Sequence, residues 1–190
     1  RAGCLRVWMG AESGSQKILD AMDKGTTIEQ IRQARVLLRE AGIECALFLQ
    51  FGYPGETIRE IKMTLDLMRE LMPEDIGISV SYPLPGTPFY ERVINDLGDK
   101  RNWLDSGDVD MLFAGEYAPE FYRLLHPRVH AEFVTRKALR ELRKSLSRPW
   151  RLRPAHGRCL VRAVRHGWTW GTLQRRMERF SHPNPLFPPL

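Results

Sequence analysis

Three short segments combine polar side chains with glycine or proline in a way that suits ligand binding. They are GAESGS at 10–15, GYPGET at 52–57 and YPLPGT at 82–87. Glycine lets the backbone approach a ligand closely, and carboxylate and hydroxyl oxygens can bond the hydroxyls or the positively charged groups of that ligand. Each segment follows an apolar run, so the spacing predicts one site assembled from three turns.

The intervening residues predict the elements that position these turns. Strands are expected over 4–9, 43–51 and 76–82, and helices over 16–22, 26–42, 57–72 and 89–97. Capping-box patterns at Thr26/Glu29 and Thr57/Glu60 mark two of the helix starts. The order strand, helix, strand, helix, strand is typical of parallel crossover units, in which ligands gather at the carboxyl ends of the strands.

The alternation within the strands assigns their faces. Ile43, Cys45, Leu47, Leu49 and Phe51 share an apolar face that requires a core. The other face is expected to point inward, and it carries Arg6, Trp8, Ala46, Phe48, Gln50, Gly77, Ser79 and Ser81. Three strands cannot close a barrel, and these side chains suit a lined cavity better than a packed barrel interior. The pattern predicts an α/β fold with a widened, incomplete barrel around a large ligand.

The remainder of the chain is predicted to be a mainly helical extension. We expect a barrel domain over 1–97, a helical region over 98–181 and an irregular Pro-rich tail over 182–190. Within the helical region, the pattern favours helices over 118–125, 129–146, 160–164 and 172–180, with a linker at 149–154. Residues 1–100 contain 12 Lys and Arg against 15 Asp and Glu, whereas residues 136–190 contain 14 against 2. The two ends therefore differ in role or surroundings.

Composition excludes several classes of protein. No run is apolar enough to span a bilayer and no secretion signal is present, so we expect a cytoplasmic protein. Cys4, Cys45 and Cys159 are too isolated for a disulfide framework or a zinc site, and no metal motif is evident. The opening Arg-Ala-Gly-Cys-Leu, without an initiator Met, predicts that the beginning of the protein is missing.

At this point the chain resembles the radical S-adenosylmethionine (SAM) enzymes, specifically their cobalamin-domain branch, which includes the anaerobic magnesium-protoporphyrin monomethyl ester cyclase type. The resemblance lies in VWMGAESGSQKILDAMDKGTTIEQI and DSGDVDMLFAGEY and covers residues 3 to about 135. It implies the C-terminal half of a six-stranded partial barrel. The missing N-terminal half would carry the CxxxCxxC loop of a 4Fe-4S cluster, which none of the three cysteines matches.

The resemblance also implies roles for particular residues. The SAM-binding set would be Gly10, Glu12, Ser13, Ser15, Gln50, Gly52, Tyr53, Pro54, Tyr82, Pro83 and Leu84. Glu12 could instead be an acid that complements a helix dipole, and Gln50 a satisfied core amide. Glu56 would stabilise its loop or cap the following helix. The whole enzyme would perform radical chemistry on a small molecule, by cobalamin-dependent methylation or oxidative cyclisation, and this chain alone would be inactive.

Other patterns leave alternatives open. His126 and His130 are four residues apart, as in helical metal pairs, but Pro127 interrupts them and solvated or capping roles fit better. Asp105, Asp108 and Asp110 lack calcium-loop spacing. The carboxyl end combines tryptophans with arginines, as a nucleic-acid patch or a solvated surface would: Trp168, Trp170, Arg162, Arg165, Arg175 and Arg176. A noncatalytic remnant with a basic nucleic-acid-binding end, and an RNA methylthiotransferase lacking the usual β-barrel appendage, are the alternative functions.

Overall fold

A computed structural model of the chain describes residues 3–97, 112–113, 115–146 and 154–180. In chain order these residues form β1 (Arg6–Glu12), α1 (Gln16–Ala21), α2 (Ile28–Glu40), β2 (Glu44–Phe51), α3 (Ile58–Leu71), β3 (Asp75–Val80), α4 (Pro88–Val93), α5 (Pro119–Leu146) and α6 (Pro154–Met177). Single 3-10 turns follow α4 at Ile94–Asp96 and α6 at Glu178–Phe180. None of the described helices combines the length and apolar character that crossing a bilayer requires.

The described residues fall into two compact units. The first extends to Arg123 and the second runs from Leu124 to Phe180. The first contains a parallel three-stranded sheet in the order β1-β2-β3. The prediction of an α/β fold with parallel crossovers is confirmed. That the sheet belongs to a partial barrel stays a prediction, as do the domain boundaries at 97 and 181.

The helix-facing side of the central strand β2 forms the core of the first unit. Cys45 and Leu47 are fully buried, and Leu49 and Phe51 are 1% exposed. The helices contribute further buried apolar residues, namely Ile18, Leu19, Ile31, Ile61, Leu65 and Met68. Each such side chain contributes roughly 1.5–3 kcal/mol by leaving water. The predicted apolar face of β2 is therefore confirmed as the core face.

The predicted capping box is confirmed at α3, whereas at α2 the observed capping box begins one residue later than predicted. Thr57 caps α3, and the Glu60 carboxylate accepts the Thr57 N–H. For α2 the predicted Thr26/Glu29 pair is wrong by one residue. Thr27 is the cap, its hydroxyl accepts the Gln30 N–H at 3.2 Å, and the Gln30 amide oxygen accepts the Thr27 N–H at 2.8 Å. Gln serves as well as Glu at this position, so the pattern fits both registers.

Strand β1 continues further than its composition indicates. It was expected to end at Met9, because the next residues are small, but it runs to Glu12 with a register shift between Gly10 and Glu12. Small residues accommodate such a bulge readily. The bulge re-aims Glu12, which lies at the carboxyl end of the strand.

The helical region contains longer helices than predicted. Residues 118–125 and 129–146 were expected as separate helices, but α5 runs through Pro127 without a break. An internal proline costs about 3 kcal/mol, and buried residues on both sides of it, such as Leu125 and Val129, offset that cost. Likewise α6 is one helix where two short ones were expected. Most of the predicted 149–154 linker and all of the predicted 182–190 tail lie outside the described residues.

Candidate cofactor site at the open face of the sheet

The sheet face opposite the core is open and partly aromatic. Trp8 is 43% exposed and Phe48 is 48% exposed, and their rings stack with centroids 4.6 Å apart. Gly77 pairs with Phe48 in the register, and a Cβ atom at residue 77 would lie 2.8 Å from the Phe48 ring. Glycine is therefore required there for the aromatic pair to lie across the strands. The face that carries Trp8, Phe48 and Gly77, which the sequence predicts to point inward, is thus the face opposite the helix-covered core.

A charged cluster lies at the amino end of this open face. Arg6 of β1 contacts Glu44 of β2 at 2.6 Å and Asp75 of β3 at 3.2 Å, so one guanidinium links all three strands. The hydrogen bond to Glu44 raises the pKa of Arg6. All three side chains are substantially exposed, so the cluster adds little stability. It gives this end of the face a polar boundary.

At the carboxyl end of β1, the Glu12 carboxylate lies over Gly10. A Cβ atom on Gly10 would be 2.6 Å from Glu12 Oε1 and 2.9 Å from Lys24 Nζ. Glu12 adopts φ 55°, the left-handed region, and its carboxylate binds the Lys24 ammonium at 2.8 Å. That backbone conformation costs roughly 1–2 kcal/mol for a residue with a side chain. Strained residues of this kind cluster at ligand sites, and the side chain is 16% exposed.

The rest of the GAESGS turn is fastened to α3. The Ser13 hydroxyl lies 3.2 Å from the Thr64 hydroxyl, and the Gly14 N–H donates to Thr64 Oγ1 at 2.9 Å. A side chain on Gly14 would overlap the backbone carbonyl of Met63. Ser13 and Ser15 are buried. These residues hold the turn that presents Glu12, and their own contact with a cofactor stays a prediction.

The other two strand ends are linked by side chains of the predicted set. The Gln50 amide donates to the Ser81 hydroxyl at 3.0 Å, and Ser81 extends the ladder by donating its N–H to the Phe51 carbonyl at 2.7 Å. Ser79 pairs with Gln50 in the register and is exposed. The ends of β2 and β3 thus carry the half-buried Gln50 amide, the exposed Ser79 hydroxyl and the Ser81 hydroxyl, which is 1% exposed and lies beneath the amide that it binds.

The remaining predicted residues have different environments. Tyr53 is buried and donates its hydroxyl to the Ala21 carbonyl at 2.7 Å, whereas Pro54 is exposed. Pro83 is buried, Tyr82 is half-buried and Leu84 is 56% exposed. Leu84 therefore offers apolar surface beside the third strand end, while Tyr53 joins the turn to α1.

Beneath the GYPGET turn lies a buried carboxyl group. Glu56 is fully buried and accepts the Gly52 N–H at 2.6 Å, which is the loop-stabilising role expected for it. Burial raises the pKa of Glu56 to about 8. Among the described residues, its second oxygen has no hydrogen-bond partner. Burial and the nearby Glu56 charge also raise the pKa of Tyr122.

Two contributors to this region were not identified from the sequence. Lys24 lies 12 residues from its partner Glu12, and Tyr122 lies 66 positions after Glu56. No local pattern links Lys24 to its ion-pair partner Glu12, or Tyr122 to the carboxyl group that influences its pKa, because both depend on how separate elements pack. In the described part of the chain, no three His, Cys, Asp or Glu side chains group as metal ligands. His126 and His130 do approach one another, with ring centroids 4.7 Å apart.

Known proteins that resemble this chain are enzymes. It is 28% identical over 159 residues to an uncharacterised methyltransferase of Pyrococcus horikoshii, covering 74% of this chain and 35% of that protein. It is 38% identical over 86 residues to the tRNA-2-methylthio-N(6)-dimethylallyladenosine synthase of Paracoccus denitrificans, covering 43% and 19%. It is 31% identical over 100 residues to the anaerobic magnesium-protoporphyrin IX monomethyl ester cyclase of Rubrivivax gelatinosus, covering 53% and 17%.

No family model matches the chain, and the matched regions span about a third or less of these relatives' lengths. The expected similarity to enzymes, and to the magnesium-protoporphyrin ester cyclase type, is confirmed at this level. The assignment to the C-terminal half of a larger enzyme stays a prediction.

Proposed function

We propose that this chain is part of a radical SAM enzyme and that the open face of its sheet binds SAM. The observation that carries the proposal is the Glu12 carboxylate, held over Gly10 by a bulge and a strained backbone at the carboxyl end of β1. The similarity to methyltransferases, a methylthio-synthase and a cyclase supports the same class. Parallel α/β sheets bind their ligands at this edge.

The side chains present fit the functional groups of SAM. A carboxylate suits the positively charged amino group, and the Gln50–Ser81 pair supplies an amide and a hydroxyl for ribose. Leu84, with Tyr82 and Pro83 before it, offers apolar surface for adenine. Gly52, Tyr53 and Pro54 complete the turn at the methionyl end in this proposal. Ser13 and Ser15 act by anchoring Glu12.

The described residues do not fit a 4Fe-4S cluster. Cys4 is exposed and Cys45 is buried, both are free thiols, and neither belongs to a CxxxCxxC sequence. The cluster is therefore assigned to cysteines outside this chain. SAM would supply a deoxyadenosyl radical, with methionine released, where such a cluster delivers an electron to it, or an electrophilic methyl group where cobalamin takes part. This chain's contribution is to orient SAM and to exclude water with the Trp8–Phe48 pair.

The reaction that follows from this chemistry is a methyl transfer or an oxidative cyclisation on a small molecule. The methyltransferase relative favours the first and the cyclase relative favours the second. Any cobalamin would be held by a domain outside this chain. A methylthiotransferase acting on RNA is the second candidate, and the similarity to a tRNA-modifying synthase favours it.

Calorimetric titration of SAM into the full-length protein tests the assignment. We expect Glu12→Gln to weaken SAM binding by about 1–3 kcal/mol, because a charge-assisted hydrogen bond is lost. Lys24→Met is the matched control, since it removes the other half of the same ion pair. It should leave SAM affinity unchanged or increase it, because Lys24 competes for the carboxylate. Unchanged affinity in Glu12→Gln, or equal losses in both variants, would remove Glu12 from the site.

A further inference from the structure

One face of α6 carries exposed apolar and basic side chains together. Val161, Val164 and Trp168 are 69%, 66% and 74% exposed and follow one another at helical spacing. Arg165, Arg175 and Arg176 are also exposed. At 100° per residue, all six lie within about 60° of Val161 around the helix. Arg179 is exposed in the turn that follows.

The opposite face of α6 packs against α5 within the second unit. A Cβ atom on Gly167 would lie 3.6 Å from the Thr135 side chain, and Arg128 donates to the Gln174 amide oxygen at 2.9 Å. The Arg136 guanidinium lies 5.5 Å from the centre of the Trp170 ring. Trp170 is therefore occupied by packing, whereas Trp168, two residues away, points to the other side. Packing within the helix pair does not require an exposed Trp168.

The charge on the exposed face has a particular composition. Between residues 161 and 180 every basic residue other than histidine is arginine, and Glu178 is the single acidic residue. The planar guanidinium of arginine binds two phosphate oxygens at once and stacks flat on aromatic rings. The ammonium of lysine is a compact point charge and has neither property. The helix dipole accounts for Arg175 and Arg176 in the last turn. It does not account for Arg165 or for the aromatic ring beside it.

We propose that this face of α6 binds a single-stranded nucleic acid. Trp168 would stack on a base, and Arg165, Arg175, Arg176 and Arg179 would contact phosphates along roughly 21 Å of helix. A membrane surface fits less well, because the arginines lie on the same face as the apolar residues, whereas a helix in a bilayer interface has an apolar face opposite its charged face. The proposal is independent of SAM binding at the open sheet face.

Fluorescence anisotropy with labelled RNA and DNA oligonucleotides of about 12 nucleotides tests this with the full-length protein. Trp168→Leu should weaken binding at least 5-fold, because leucine keeps the apolar contact and loses base stacking. Trp168→Phe should restore most of the affinity. Arg175→Gln/Arg176→Gln should lower the slope of log affinity against log salt by about 1.4, which corresponds to two phosphate contacts on a single strand. Binding of either nucleic acid with this pattern supports the proposal, and a preference for RNA identifies a contact with the 2′-hydroxyl.

Arg39→Gln/Arg59→Gln is the matched control, since it removes the same charge from two exposed arginines of the first unit. It should leave the salt slope nearly unchanged. An equal change of slope in both double variants would show a nonspecific charge effect and overturn the proposal. So would the absence of oligonucleotide binding at about 50 mM salt. Binding to phosphatidylserine vesicles alone, retained by Trp168→Leu, would show that the face is a membrane contact.

Discussion

The two faces of the sheet differ in solvent exposure although the same three strands build both. On the helix-covered face, Cys45, Leu47 and Leu49 are at most 1% exposed. On the open face, Trp8 and Phe48 leave nearly half of their surface in water. Leu47 and Phe48 are consecutive residues of β2, so hydrophobicity alone does not separate their environments. What separates them is which side of the strand α2 and α3 cover.

The charged side chains of the first unit also differ in their contact with solvent. On the open face, Glu44 and Asp75 share the Arg6 guanidinium in contact with solvent. Elsewhere in the first unit, Glu56 is fully buried, and burial holds its carboxyl group protonated with a pKa of about 8. Buried charge in the first unit is thus paired where Arg35 binds Glu74 at 2.8 Å and neutralised by a proton in Glu56, whereas the ions of the open face remain in contact with water.

The largest expected effect concerns catalysis by the open face on its own. A protein of these 190 residues, reconstituted anaerobically with iron, sulfide and reductant, should hold no stoichiometric cluster and release no deoxyadenosine, because its cysteines do not provide a cluster site. The assay is deoxyadenosine release, measured together with the iron and sulfide content of the reconstituted protein. A stoichiometric cluster in this chain alone would contradict the assignment of the cluster to cysteines outside it.

The pH dependence of the free energy of unfolding tests whether the Glu56 carboxyl group is buried and protonated. In the unfolded chain Glu56 ionises near pH 4.5, while the folded protein keeps the proton up to about pH 8. Its stabilising contribution is therefore complete below pH 4.5 and is lost as the pH rises through 8. Between pH 5 and 8.5 the wild type should lose up to about 4 kcal/mol relative to Glu56→Gln. Urea titrations of both proteins at several pH values would measure this difference. If the free energy of unfolding changed with pH equally in both proteins, Glu56 would ionise near its ordinary pKa and the prediction would be wrong.

A pair of neighbouring substitutions compares the faces directly. Leu47→Ala should lower the free energy of unfolding by about 3 kcal/mol, because it leaves a cavity in the core. Phe48→Ala should cost about 1 kcal/mol, since that ring is 48% exposed and loses mainly its stacking with Trp8. Denaturant unfolding of the two variants measures the difference. Equal costs would show that the open face is buried as deeply as the core.

The two glycines of the first turn differ in what an added methyl group would meet. Gly14→Ala should cost about 2 kcal/mol, because the added methyl meets the Met63 backbone, which cannot move freely. Gly10→Ala meets only the ends of the Glu12 and Lys24 side chains, which can swing aside. It should leave the melting temperature nearly unchanged and weaken SAM binding by displacing the Glu12 carboxylate. Loss of stability without loss of SAM affinity in Gly10→Ala would reverse the roles assigned to these positions.

Local patterns were sufficient to predict the secondary elements of the first unit and the faces of its strands. Alternation in Ile43–Phe51 identifies the core face, and Thr57 with Glu60 identifies the start of α3. These signals arise within a few residues, where backbone geometry fixes which side chains share a side. The same reasoning failed at Pro127, because a helix breaker is a local signal and the packing that offsets it is not.

For the candidate site, too, some features follow from the local sequence and others from tertiary packing. The sequence by itself determined that Gly10, Glu12, Gln50 and Gly52 lie at strand ends, because strand period and turn chemistry are local. Only the tertiary structure decided that Ser13 bonds Thr64, that Lys24 pairs with Glu12, and that Trp168 and Trp170 face opposite ways. Those outcomes depend on which distant element packs against each residue, and no short-range pattern encodes that choice.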